Sequence, residues 1–582
     1  MSAIHDLFNP QQRFSLLHPS GSVPPPREEA DLNLRYVADL GLNSTLLALT
    51  GDPDHRQELH RIFVELCTDT AVITFRQDVL ADFLAHPALV ACFEGLLPTL
   101  DALAAYHYRH HVQDTSPLYE VTWRAGELEN VVTCITAMAD VFTAVGDDLQ
   151  SAGLRALQQE VQRIQSDEKY QNLTRELPGL LETLRASRSL TIGVNLDPQL
   201  QPVEAALLAV NTTTFESATF LDKFFGKNKT RWSGLAPVHS VYGSAGPSLI
   251  GTPLPPEVKN PGGQIKPLLV PLFRDLADVL DRVCEPIAQA LGQYVQINGR
   301  FLANLRADLL FYLAAHRLVK QLAAAGLPMT RPEIAPADER VFVVTGNYNV
   351  NLALNYHLER PKADLSQMVV GNDVAMGENG RIFVLTGPNQ GGKTTYIQAV
   401  GLTQVLAQAG FYVPGTQARI SPVDAIFSHF PVEEKLERGT GRFGDEAQRF
   451  GEIFAHLTRR SLVLLNESLA STSAWESLYL AQDLLRILRQ VGARAIYATH
   501  MHELAANVEQ LNGETEGDSL LLSLVASRIE ADDEGATGEM ARSYKVVPGR
   551  PLGRSYTTEL ARRYGISYEQ LLALLQQRGI VP

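Results

Sequence analysis

Cysteine is scarce in this chain of 582 residues. Cys67, Cys92, Cys134 and Cys284 are the only four, and no two stand in a Cys-x-x-Cys spacing. Neither a disulfide framework nor a zinc site is indicated. An excess of basic charge is missing as well: 50 Lys and Arg face 65 Asp and Glu, for a formal net charge of −15. Coating nucleic acid with the whole surface is thereby excluded, and any such contact must come from a local basic patch. No apolar run approaches the ~18 residues of a membrane span. The opening MSAIHDLFNPQQRF has no basic stretch followed by an apolar one, so a cytoplasmic protein without membrane attachment is expected. No internal repeat stands out. What is present is a globular composition, 45% hydrophobic and 20% charged, which rules out wholesale disorder. At roughly 150 residues per domain, the length allows about four domain-equivalents.

Residues 1–30, through Pro24-Pro25-Pro26, predict an extended N-terminal arm. From Asp31 to Ser187 the texture is mainly helical. Leu80, Phe83, Leu84, Leu89, Val90, Phe93, Leu96 and Leu97 recur at three- and four-residue intervals, as a pair of helices burying one face requires. The charged stretch Glu160–Leu184 predicts a long, partly solvated helix. At Ser189-Leu-Thr-Ile-Gly-Val-Asn195 the period becomes two, a strand signal. Residues 233–265 carry Gly, Pro and Ser too densely for a regular element. Helical spacing returns over Leu268–Ala325 and ends at Gly326-Leu-Pro328. Beyond Pro332, short runs (Val341–Thr345, Ile382–Thr386, Leu462–Leu465, Ala495–Ala498) alternate with helical patterns. That alternation argues for a parallel or mixed sheet flanked by helices. A domain boundary is expected near residue 335, and the acidic stretch Glu530–Glu539 reads as a solvated hairpin loop.

Gly387-Pro388-Asn389-Gln390-Gly391-Gly392-Lys393-Thr394 matches the pattern G-x-x-x-x-G-K-[ST]. It directly follows the apolar run Ile382–Thr386, and a helical pattern opens at Thr395. Strand, loop and helix in that order are what a phosphate-binding P-loop, or Walker A motif, needs. The glycines let backbone N–H groups turn inward on the phosphates of ATP, and the helix N-terminus adds its positive end. Lys393 is expected to reach the β- and γ-phosphates, and Thr394 to place a hydroxyl on Mg²⁺. Such a site also needs an acidic strand end and a group that orients water. Ser461–Glu467 is a buried-strand pattern ending in a polar pair, with Glu467 as general base and Asn466 on the metal side, where aspartate is usual. His500 ends a further strand pattern 33 residues beyond Glu467, where ABC-type ATPases carry their switch histidine.

With these residues in view, the C-terminal half resembles the ATPase domain of the MutS family of DNA mismatch-repair and recombination proteins. The words that carry it are TGPNQGGKTT (386–395), AGFYVP (409–414), IFSHF (426–430), LVLLNESLASTSAWE (462–476) and ATHMHEL (498–504). The resemblance covers roughly 340–570, including the late strand Tyr544–Gly549 and a helix over Ser555–Tyr564. It implies a multi-domain protein: a mainly α-helical core and lever region over 31–335, then an α/β P-loop (ABC-type) ATPase domain over 336–582. It also implies ATP and Mg²⁺ as cofactors, DNA as partner, a homodimer through the ATPase domain, and other repair proteins as possible partners. In the family a loop reaches across the dimer; here it reads Gly439-Thr440-Gly441-Arg442-Phe443, with Thr440, Gly441 and Arg442 as the contacting positions. Val369 stands where the family stacks an aromatic on adenine, just before Gly371-Asn372-Asp373, and Asn372 is counted with the nucleotide site. Mismatch-sensing members carry an N-terminal domain with a Phe-x-Glu wedge. Phe63-Val-Glu65 has those letters but lies in a helical pattern, so Phe63 is expected in the core. A short member lacking the mismatch-recognition domain is therefore expected, one that is not itself a mismatch sensor.

Lys223, Lys227, Lys229 and Arg231, interleaved with Phe224, Phe225 and Trp232, form the densest basic stretch. It falls in the irregular insert around 188–267, where MutS-type proteins carry a DNA clamp. Basic groups there would release counterions from the DNA backbone, and aromatics would stack on exposed bases; a solvated loop weighs equally. His107, His110 and His111 share one helical face, and without a carboxylate or cysteine ligand a solvated face is favoured over a metal site. The functional expectation is a nucleotide-driven clamp on DNA. Its alternative is a low-turnover nucleotide-binding scaffold of the same fold with no direct DNA role.

Overall fold

The structure is a computed structural model. It describes residues 14–19, 34–109, 117–186, 189–196, 198–199, 202–211, 213, 285, 287–294, 297, 299–388, 391–430, 441–469, 473–528, 542–551, 562 and 564–581. The chain forms two compact units that interleave along the sequence. One gathers Met1–Phe14, Pro87–Leu149 and Leu154–Arg306; the other gathers Ser15–His86, Gln150–Gly153 and Ala307–Pro582. Residues 15–86, grouped on sequence with the N-terminal region, thus pack in the unit that carries the C-terminal half.

Four helices come first: α1 (Arg35–Asp39), α2 (Leu42–Leu49), α3 (Pro53–Glu65) and α4 (Thr70–Ala85). Asp52 and Asp69 cap α3 and α4, each accepting from two backbone N–H groups of the first turn. Those donors have no partner inside the helix, so a cap at this point is stabilising. Helix α4 stops at His86 because Pro87 follows, and a residue before proline is driven out of the helical region. His86 accordingly sits at φ −119°, ψ 88°.

The other unit holds α5 (Pro87–Arg109), α6 (Pro117–Val145), α7 (Ala152–Ser166) and α8 (Glu168–Ala186). It also holds an antiparallel pair, β1 (Ser189–Leu196) and β2 (Pro202–Asn211). Leu89, Phe93, Leu96, Leu100 and Leu103 of α5 are buried, as are Leu128, Val131, Ile135, Met138 and Phe142 of α6. This three-and-four spacing puts each set on one face, and Phe93 meets Phe142 edge-on at 6.5 Å. By length and composition both helices are apolar enough to cross a membrane, with mean hydropathy 1.5 over Pro87–Ala105 and 1.4 over Val121–Asp148. That corrects the expectation of no stretch of such length, which rested on unbroken runs; Glu94, Glu127 and Glu129 interrupt these.

The remaining elements are α9 (Arg300–Ala324), β3 (Met329–Thr330), β4 (Glu333–Ile334), β5 (Phe342–Asn347), α10 (Val350–Glu359), β6 (Asn372–Met376), β7 (Ile382–Thr386) and α11 (Lys393–Ala409). They continue with β8 (Val413–Pro414), β9 (Gln417–Ile420), β10 (Ile426–His429), α12 (Gly441–His456), β11 (Leu462–Asn466), α13 (Ala474–Val491) and β12 (Arg494–Ala498). Last come α14 (His502–Ala506), α15 (Val508–Glu514), β13 (Leu521–Arg528), β14 (Arg542–Pro548) and α16 (Tyr568–Gln577). Six strands form one sheet in the order β10-β11-β12-β7-β13-β14, parallel except for the antiparallel β14. Every residue of β7, β11 and β12 is buried, because a parallel sheet is covered on both faces. The run at Val341–Thr345 does not join this sheet. It becomes β5 of a second, mixed sheet ordered β4-β9-β5-β6, and its residues alternate between buried and exposed.

The central helix of this unit is α11, buried along nearly its whole length. Phe63 of α3, 1% exposed, meets Phe411 edge-on at 5.2 Å, which bears out its place in the core. Part of the expected arm is also packed. Leu16 is fully buried; its N–H donates to Asp308 at 2.7 Å and its carbonyl accepts from Tyr312 Oη at 2.5 Å. Arg76 of α4 donates to Leu17 O at 2.9 Å and to Ala409 O, at the end of α11, at 3.4 Å. The rest of residues 1–30 lies outside the described residues.

Candidate functional site

Strand β7 ends at Thr386, and the chain turns at Gly387. A Cβ on Gly387 would stand 2.7 Å from the Ala526 Cβ of the neighbouring strand β13, so only glycine fits this close approach. Gly392, at φ 91°, then opens α11 with no side-chain cap on its first N–H groups. A helix start left uncapped is an anion site by construction. Lys393 is 4% exposed, and its Nζ donates to the carbonyls of Gly387 at 3.0 Å and Pro388 at 3.2 Å. Burial lowers the pKa of this ammonium, and the nearby Glu467 carboxylate, 3.9 Å away, opposes that shift. Asn389 and Gln390, the middle of the motif, lie outside the described residues.

The sheet brings the other expected residues to the same place. In the register of the parallel strands Asn466 lies opposite Ala498, and Ala498 opposite Leu385. Three strands therefore end level with one another, which is where α/β sheets bind ligands. Thr394 Oγ1 donates to Asn466 Oδ1 at 3.3 Å. Hydroxyl and amide oxygens are hard donors of the kind Mg²⁺ takes from a protein while keeping most of its waters, so the pair fits that ion. His500 Nε2 meets Glu467 Oε1 at 2.8 Å and Lys393 Nζ at 3.4 Å. The hydrogen bond from His500 comes first among the causes that hold the Glu467 carboxyl below the ordinary carboxylate range, so it is ionised at neutral pH.

Glu467 and Leu469 both adopt positive φ, 50° and 65°, a conformation that costs a non-glycine residue about 1–3 kcal/mol. Neighbouring groups hold the segment there. Glu467 N donates to Ala498 O at 2.8 Å, Tyr497 Oη to Ser468 O at 2.8 Å, and Ser477 Oγ to Leu469 O at 2.6 Å. His429 Nδ1 also meets Ser468 Oγ at 2.7 Å. The word IFSHF therefore supplies a support for the segment that bears Glu467.

A cavity of about 330 Å³ opens beside this cluster, running from Gly391–Thr395 and Glu467 to Asn347, Tyr356, Asn372 and Tyr544. Val369 is not in its wall. It is 4% exposed and packed in the core, while Met368 and Val370 line the cavity on either side of it. The aromatic ring over the loop comes from Tyr544 instead, whose Cδ1 would lie 3.4 Å from a Cβ on Gly392 and whose φ is 51°. Asn372 donates to Tyr544 O at 3.1 Å and accepts from Val546 N at 2.8 Å, so its amide positions strand β14 and the ring that strand carries. Sequence reading missed Asn347, Tyr356, Met368 and Tyr544, because nothing local to them marks a site. The remaining expected positions are not placed: Lys223, Lys227, Lys229, Arg231 and Thr440 lie outside the described residues, and of Gly441 and Arg442 only the backbone, at the start of α12, is described. His110 and His111 also lie outside the described residues, and no metal-binding group of histidine, cysteine or carboxylate side chains occurs among the described ones.

Two protein-family models match the chain: MutS domain V over residues 383–565, and MutS2 N-terminal domain over residues 68–325. Among curated proteins it is similar to the DNA mismatch repair protein MutS of Lactobacillus johnsonii, with 30% identity over 289 residues, 49% of this chain and 32% of that one. It is also similar to the DNA mismatch repair protein MutS of Rhodopirellula baltica, with 38% identity over 202 residues, 34% of this chain and 21% of that one. The chain thus spans about a third or less of the length of these relatives.

Proposed function

The chain belongs to the MutS family, and from that premise we propose that it is an ATP-hydrolysing, DNA-binding protein of a repair- or recombination-related kind. The observation that carries the ATPase part is the convergence of Lys393, Thr394, Asn466, Glu467 and His500 at level strand ends. ATP is the substrate. The N–H groups at the start of α11 and the Lys393 ammonium would hold its phosphates, and Thr394 with Asn466 would hold Mg²⁺. Bound Mg²⁺ supplies neutralisation of the charge that develops on the β- and γ-phosphate oxygens. A water molecule attacks the γ-phosphorus, the bond from that phosphorus to the bridging oxygen breaks, and the water's proton leaves with the products. Glu467, held ionised, accepts a hydrogen bond from this water and aims it; with its pKa lowered it is better suited to orient water than to keep the proton. His500 fixes the Glu467 carboxylate against Lys393.

The DNA part rests on family membership and on the basic segment Lys223–Arg231. Two copies would join through the ATPase unit, and ATP would favour the closed pair while hydrolysis reopens it. Filter binding of homoduplex, mismatched and branched DNA, with and without ATP, tests this. ATP-dependent retention of at least one DNA is expected. Replacing Lys227, Lys229 and Arg231 with Ala should flatten its salt slope by up to about 0.9 for each phosphate that is no longer neutralised. Asn466 favours a second reading, a scaffold of low turnover, because an amide contributes no charge to the metal. In that case ATP binds, hydrolysis is slow, and no DNA is retained.

A further inference from the structure

The chain reverses just past Glu467 without using glycine. Ser468, 1% exposed, stands between Glu467 and Leu469, both at positive φ, a conformation that persists only where the surroundings over-determine it. Two of the contacts that hold the reversal end on main-chain carbonyls: Tyr497 Oη donates to Ser468 O and Ser477 Oγ to Leu469 O. They would serve whatever side chains stood at 468 and 469. A third contact joins side chains. His429 Nδ1 meets Ser468 Oγ at 2.7 Å, and the same hydroxyl lies 3.4 Å from His429 O. It depends on the identity of both residues, and either ring tautomer makes it, because a hydroxyl both donates and accepts.

Two elements settle where His429 stands. It ends β10, opposite Leu465 of β11 in the parallel register, which brings it to the level of the strand ends. Its ring lies against Phe450 of α12, with centroids 5.3 Å apart and planes tilted by 34°, inside the range of a favourable aromatic pair. Phe450 is buried in the core with Phe427 and Leu465. One residue earlier on each element, Arg449 donates to Ser428 O at 3.3 Å, so helix and strand end are joined at two successive positions. A line of contacts thus runs from α12 through His429 and Ser468 to the residue that bears the water-orienting carboxylate. Of these residues Glu467 lines the cavity, while Phe450, His429 and Ser468 do not.

Resting on the ATPase reading above, we propose that His429 is a positioning residue for hydrolysis, which passes the placement of α12 to Glu467 through the Ser468 hydroxyl. A carboxylate that aims a water works only in a narrow range of geometry, and a misplacement of roughly 1 Å can cost about 10²-fold in rate. Losing this contact therefore lowers turnover. Nucleotide affinity, which rests on Lys393 and the start of α11, stays in place.

Single-turnover hydrolysis beside isothermal titration of ATP, both on the full chain, tests this. Ser468→Ala and His429→Phe, the second keeping a ring against Phe450, should each slow hydrolysis about tenfold or more, with ATP affinity within about twofold of wild type. His429→Asn, which places an amide where Nδ1 stood, should recover most of the rate. In the Glu467→Gln background neither Ser468→Ala nor His429→Phe should slow the reaction further, because both act through that carboxylate. Phe450→Leu should slow hydrolysis on its own and add nothing to Ser468→Ala. Unchanged rates in the folded variants, ATP affinity lost in step with rate, or effects that simply add to Glu467→Gln overturn the proposal; so does Phe450→Leu adding in full to Ser468→Ala. If His429→Phe does not fold, Ser468→Ala and its combination with Glu467→Gln decide the matter. A wild type that neither binds nor hydrolyses ATP overturns the ATPase reading itself, and this proposal with it.

Discussion

At one end of the cavity, Gly391, Gly392, Lys393 and Thr394 come from a single unbroken stretch and face Asn466, Glu467 and His500 across adjacent parallel strands. At the other end Asn347, Tyr356, Asn372 and Tyr544 come from four separate segments, two on the small mixed sheet, one on a helix and one on the antiparallel edge strand β14. The first end offers backbone dipoles and charge, whose worth depends on close placement by a rigid turn. The second offers shape and rings. On the proposed nucleotide reading, charge recognition of phosphate is concentrated in one loop, and recognition of the rest of the ligand is distributed over the fold.

Substitutions at the two ends should separate these roles. The largest effect is expected from Glu467→Gln: turnover should fall by about 10²–10⁴-fold while ATP affinity stays near wild type, read by single-turnover hydrolysis beside equilibrium binding. The depressed pKa of Glu467 carries a sign as well. Its active, ionised form persists to lower pH than an ordinary carboxylate, and His500→Ala should move the acid limb of the rate profile upward. Lys393→Ala comes next, with ATP binding reduced about 100-fold or more, some 2.7 kcal/mol, in a protein that still folds. Wild-type affinity in that variant would remove the loop from the site. At the distributed end Tyr544→Gly should be milder. It relieves the positive φ but takes away a ring that base stacking makes worth about 1–3 kcal/mol; the weakening should appear for ATP and not for ribose 5′-triphosphate. The smallest effect is expected from Asn466→Asp, a few-fold gain in hydrolysis at limiting Mg²⁺ that shrinks as Mg²⁺ saturates. No gain at any Mg²⁺ concentration would assign the metal to another residue.

The phosphate end was legible in the sequence because its chemistry is contiguous. Gly387 to Thr394 form one word, and Glu467 and His500 each end a run of buried apolar residues that reads as a strand. Helices α4 and α5 were each legible for a similar reason, since three-and-four spacing is local, although they fall in different units and the expected pairing of the two is not shown. The distributed end was not. Tyr544 looks like any strand residue, and its role follows only from Asn372 holding β14 over Gly392. Val369 was expected at the site by position, but burial turned it inward and left its neighbours in the wall.

By itself, then, the sequence determined many of the stretches that are helix or strand and which loop has the form of a phosphate-binding turn, because hydrophobic period and glycine-rich turns act over a few residues. Tertiary structure alone decided which unit residues 15–86 join and which ring covers the loop. Those outcomes depend on packing between segments far apart in the chain, where side-chain fit and hydrogen-bond satisfaction are settled jointly and leave no mark at any one position.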